Sequence, residues 1–128
     1  MAYYNYRIVD LSYENTIVKV TEELKKEGFG VLTEIDVKET LKKKLNVNFR
    51  KYKILGACNP PFAYQALMME ENIGALMPCN VIVQEKNDGV IQVSVVNPME
   101  SMQTVGNQEL AEIAGEISKK LINVLKNI

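Results

Sequence analysis

The chain has no histidine and no tryptophan, only two cysteines, and no long apolar run in its 128 residues. The missing histidine removes Ser-His-Asp and Cys-His nucleophile pairs and every imidazole metal site. Proton transfer near neutral pH would then fall to a perturbed carboxylate, lysine, cysteine or tyrosine. No run approaches the ~18 apolar residues of a membrane span. The N-terminal MAYYNYRIVDLSYEN lacks the basic leader and apolar stretch of a secretory signal. Two cysteines are too few for a disulfide scaffold and read as reduced thiols, which predicts a soluble, cytoplasmic protein. Fifteen basic and 16 acidic side chains nearly cancel, which gives no general pull toward nucleic acid or an acidic membrane.

What is present fits one domain over residues 1–128, large enough to fold on its own core. Residues 4–11 alternate as a strand, with Tyr4, Tyr6 and Ile8 on one face. Ser12 offers an N-cap to a helix carrying Tyr13, Ile17, Val20 and Leu24, and Gly28 supplies its left-handed stop. A strand from Gly30 should place Val31, Thr33 and Ile35 on one face. Asp36 and Glu39 have capping-box spacing ahead of a short helix with Leu41 and Leu45. Residues 49–57 read as a strand, and Asn59-Pro60 as the start of a helix to about Met69. Strands at 79–85 and 90–96 flank the hairpin turn Asn87-Asp88-Gly89. A final helix capped near Asn107 carries Leu110, Ile113, Ala114, Ile117, Leu121, Val124, Leu125 and Ile128 on one stripe.

The predicted fold class is α+β: a mostly antiparallel sheet backed by helices, ordered β-α-β-α-β-α-β-β-α. Pairing of the strands at 49–57 and 79–85 would bring two Cys-Asn pairs to facing strand ends, Cys58-Asn59 and Cys79-Asn80. The segments ILGACNPPFAYQAL and IGALMPCNVIVQE resemble the paired hallmark of the domain-of-unknown-function 302 family, and GFGVLTEIDVKETLKKKLNVNFRKYK fits it too. The resemblance spans roughly residues 10–98. It implies a TATA-box-binding-protein-like fold, β-α-β4-α with short inserted helices, and brings no established activity.

The residues singled out for a ligand site are Cys58, Asn59, Pro60, Tyr64, Cys79 and Asn80. The cysteines read most simply as small buried hydrophobes. The sharper reading is a reactive thiol, since Cys58 precedes a helix N-terminus. Two thiolates leave zinc two ligands short, so no metal is expected at the site, and the sequence does not identify a cofactor. Asn59 reads as an N-cap, while Asn80 could brace the crossing or face a ligand. The methionines read as gap-filling core, and Glu34, Asp36 and Glu39 as solvent-facing or capping. The lysine run 42–44, with Arg50, Lys51 and Lys53, reads as a solvated face, and no nucleic-acid or membrane partner is expected. Three functions follow: a small-molecule-binding module at the paired motifs, a homodimeric structural or interaction domain, and a thiol-dependent redox protein or enzyme.

Overall fold

A computed structural model describes residues 2–128. Five strands, β1 (Tyr4–Val9), β2 (Gly30–Asp36), β3 (Tyr52–Cys58), β4 (Cys79–Glu85) and β5 (Ile91–Val96), form one sheet in the order β1-β5-β4-β3-β2. Every adjacent pair is antiparallel. Five α-helices join them: α1 (Tyr13–Lys26), α2 (Val37–Leu45), α3 (Pro60–Met69), the one-turn α4 (Pro98–Ser101) and α5 (Gln108–Lys126). The fold is α+β. With α2, α3 and α4 set aside as insertions, the order reduces to β-α-β4-α.

The helices start where the side chains dictate. Ser12 accepts from the Asn15 amide at 3.0 Å and Asp36 from the Glu39 amide at 3.0 Å, satisfying N–H groups the helix leaves free. Asn107 accepts from both Glu109 and Leu110 at the start of α5. No helix among the described residues is long and apolar enough to cross a membrane.

The core lies between one face of the sheet and helices α1 and α5. Val20 and Leu24 of α1 and Leu121 and Val124 of α5 close onto Leu55, Val81, Val83, Val93 and Val95. The predicted stripe on α5 is the core face: Leu110, Ile113, Ala114, Ile117, Leu121, Val124 and Leu125 are buried. A smaller cluster of Ala66, Ile73, Met102, Leu110 and Ala114 joins α3 to the start of α5.

Three local expectations are corrected. Strand β1 ends at Val9, and β3 starts at Tyr52 rather than at residue 49. The helical turn at Pro98–Ser101 and the tighter 3-10 turns at Ile73–Leu76 and Gln103–Val105 carried no periodic signal. Val31 and Thr33 do not share a face, because a bulge between them shifts the register. Val31 then pairs Ala57 and Thr33 pairs Gly56, adjacent residues that point to opposite sides.

Candidate functional site

The two Cys-Asn motifs do meet. Cys79 opens β4 directly opposite Ala57 of β3, one position from Cys58, and both cysteines border one crevice with Asn59, Phe62, Met77 and Pro78. That crevice holds about 30 Å³, room for only a few waters, and its walls are almost wholly apolar. Both thiols are free and half-buried. Burial first, and the neighbouring Cys58 second, push the Cys79 thiol up to about 11.

Asn59 borders the crevice but commits its amide elsewhere, and Pro60, Tyr64 and Asn80 lie outside it. Asn59 is buried, and its side chain makes no cap to α3. Its Nδ2 donates instead to the Glu27 carbonyl at 3.1 Å, tying the start of α3 to the end of α1. Gly28, at φ 85°, permits this approach, since a Cβ there would stand 3.1 Å from the same Nδ2. Pro60 and Pro61 remove two N–H groups from the first turn of α3, and Ala63 already donates to the Asn59 carbonyl. Little remains at that helix start to hold an anion beside Cys58. Tyr64 is 67% exposed on the outer side of α3.

Asn80 is carried to the far side of the sheet by strand alternation, away from Cys79. That side lies opposite the core packed by α1 and α5, and no helical residue lines the cleft there. Registers place Tyr4, Tyr6 and Ile8 of β1 in rows with Val96, Ser94 and Gln92 of β5. Asn80, Ile82 and Gln84 of β4 continue the rows, followed by Gly56, Ile54 and Tyr52 of β3. A cleft of about 390 Å³ opens there, lined by Tyr3, Tyr4, Tyr52, Asn80, Ile82, Gln84, Gln92, Ser94, Val95 and Val96. None of these side chains is charged.

The amides in this cleft are partly oriented. Arg50 Nε donates to Gln84 Oε1 at 3.0 Å, while its guanidinium lies 5.4 Å from the Tyr52 ring centroid. With its oxygen engaged, Gln84 presents its NH₂ as a donor. Gln92 Nε2 donates to Ser94 Oγ at 3.1 Å. The rings of Tyr3 and Tyr4 meet at 4.9 Å with an interplanar angle of 59°, forming the opposite wall. Of the six residues expected at the site, only Asn80 lines this cleft. The signal for the cleft lies in the alternation itself: Asn80-Ile82-Gln84 and Gln92-Ser94-Val96 each put two uncharged polar residues and one apolar residue on the same face.

A family model described as "Domain of unknown function DUF302" matches residues 5–128. A search of curated proteins finds no match. A solved structure, described as uncharacterized conserved protein DUF302 from Bacillus stearothermophilus, is 30% identical, covers 99% of this chain and 98% of that one, and superposes with a TM-score of 0.93.

Proposed function

The chain belongs to the family of domain of unknown function DUF302, and on that premise we propose that it is a small-molecule-binding module whose ligand lies on the face of the sheet opposite α1 and α5. The observation that carries this reading is the contrast between the two spaces. The crevice at the Cys-Asn motifs holds about 30 Å³, whereas the cleft around Asn80, Gln84 and Gln92 holds about 390 Å³. Ligand pockets run from roughly 300 to 1,000 Å³.

The lining sets the chemistry. Tyrosine rings and Ile82 suit a flat, ring-bearing molecule, and the Gln84 NH₂ suits a carbonyl or ring-nitrogen acceptor. The lining itself carries no charge, and the rim cations Arg50 and Lys86 are already bonded to Gln84 and Gln92. A charged ligand would then lose hydration without a dedicated ion partner. We therefore place an uncharged, planar ligand there. The two lone cysteines support a reducing, cytoplasmic setting. Thiol catalysis has less support, since the shift on Cys79 lies opposite to the one that makes a nucleophile.

Amide correlation spectra recorded against neutral heteroaromatic fragments and against charged aliphatic ones test the reading. Shifts from the neutral set, clustered at Asn80, Gln84, Gln92 and Ser94 and abolished in Ile82→Arg, are expected. Shifts confined to residues around Cys58 and Cys79, or none from either set, would overturn it.

A further inference from the structure

The near-zero net charge hides a sorting of charge along the chain and across the molecule. Between Lys53 and Lys119 the sequence has a single basic residue, Lys86. Over that stretch α3, α4 and the first half of α5 carry or adjoin Glu70, Glu71, Glu100, Glu109, Glu112 and Glu116. Helix α3 itself has no charged residue. It leaves Tyr64, Leu67 and Met68 at 67, 45 and 72% exposed. Glu71 follows the extended Glu70 just past the end of α3, near the negative end of the helix dipole.

Helix α2 is the opposite in sign and equally uncovered. It buries no residue, ends in Lys42, Lys43 and Lys44, and leaves Leu45 66% exposed, with Val47 beyond it at 43%. Lys43 pairs with Glu39, while Lys42 and Lys44 take part in no ion pair among the described residues. The two helices have nine and ten residues, about 14 and 15 Å long. They leave opposite ends of strand β3, which is seven residues, or roughly 23 Å, in length.

We propose that the chain self-associates by seating α2 of one copy on the exposed face of α3 of a second copy. Leu45 and Val47 would meet Tyr64 and Met68, and Lys42 and Lys44 would meet the acidic rim at Glu71. Because the complementary helices sit at opposite ends of β3, two copies side by side and antiparallel make the contact twice. One helix-on-helix contact is small beside the roughly 1,200–2,000 Å² of a stable interface. The doubled contact gives a weak dimer, held in part by charge and loosened by salt.

Sedimentation at about 50 mM and about 500 mM salt tests the proposal, with the two surfaces reversed separately. One variant carries Lys42→Glu and Lys44→Glu; the other carries Met68→Lys and Glu71→Lys. All four positions are exposed, so circular dichroism should show both variants folded. The expected result is a concentration-dependent dimer of the parent chain that weakens at high salt. Each variant alone should be monomeric, and their equimolar mixture should dimerise again. A parent chain that stays monomeric, or a mixture that fails to associate, would overturn the proposal. So would a dimer that survives both variants and is lost only in Ile82→Arg, which would move the interface to the sheet face.

Discussion

Gly56 and Pro78 lock the two Cys-Asn motifs together: a Cβ on Gly56 would stand 2.8 Å from Pro78 Cγ and would collide with Thr33 Oγ1. Gly56 has an ordinary extended backbone, so its role is room and not conformational freedom. The substitution Gly56→Ala should cost on the order of 2 kcal/mol, read as a lower urea midpoint with an unchanged slope. Full stability in that variant would show that Pro78 and Thr33 shift freely.

Asn59 separates two roles that look alike in sequence. A capping side chain accepts a hydrogen bond, and aspartate serves it as well as asparagine does. Here Asn59 donates to the Glu27 carbonyl from a buried position. A carboxylate cannot donate and would face that oxygen. Asn59→Ala should therefore cost about 1–2 kcal/mol, and Asn59→Asp more than Asn59→Ala. Equal stability of the aspartate variant and the parent would restore the capping role.

The architecture was legible because periodicity reports burial. The α1 and α5 stripes, Ser12, Asp36 and Asn107 all act locally, within a turn of the residues they pattern. The site was less legible. That Asn80 and Cys79 diverge follows from strand alternation, but their shared motif suggested convergence. That Asn59 reaches Glu27, 32 positions earlier, depends on tertiary packing that no local rule carries. The cleft combines β1, β3, β4 and β5, so its residues become neighbours only once the strand order is known.

Alkali should unfold the protein through two buried groups. A thiol or phenol whose folded pKa is raised stays neutral in the fold, while the unfolded chain already ionises. Its stability contribution is full below the unfolded pKa and is lost as pH climbs toward the folded one. For Cys79 that window runs from 9.0 to about 11, with burial the main cause. For Tyr13 it runs from 10.0 to about 12, from burial and then the carboxylates of Asp36, Glu14, Glu34 and Glu85. Cys79 should remove up to about 3 kcal/mol across its window, and Tyr13, whose hydroxyl is only partly buried and is screened by solvent, less than that. Cys79→Ala should flatten the lower limb and Tyr13→Phe the upper one, in urea titrations stepped through alkaline pH.

The same burial predicts the labelling pattern. With iodoacetamide near neutral pH, native Cys79 should react more slowly than Cys79 in urea. Peptide mapping that finds Cys79 modified faster in the native protein would reinstate thiol chemistry at this crevice.

On α5, Ile117 sits in the core stripe at 6% exposure. Ile117→Asp would bury a carboxylate with no cationic partner and should cost on the order of 4 kcal/mol, or force the helix off the sheet. A retained thermal midpoint would mean that α5 packs less tightly than its buried face indicates.

Strand β1 precedes the other four strands in the chain and pairs only with β5. Its ladder joins positions separated by 82 residues at Val9–Ile91 and by 92 at Tyr4–Val96, and Arg7 reaches the carbonyls of Leu125 and Lys126 at 2.8 and 2.9 Å. On a ribosome the strand therefore waits, without its ladder partner, until β5 has emerged. Closure of so long a loop is slow relative to local helix formation. The β2–β3–β4 meander can assemble during translation, but β1 joins the sheet only after β5 has been made. Truncation within α5 would remove the carbonyls that hold Arg7 and leave that strand the first part of the fold to let go.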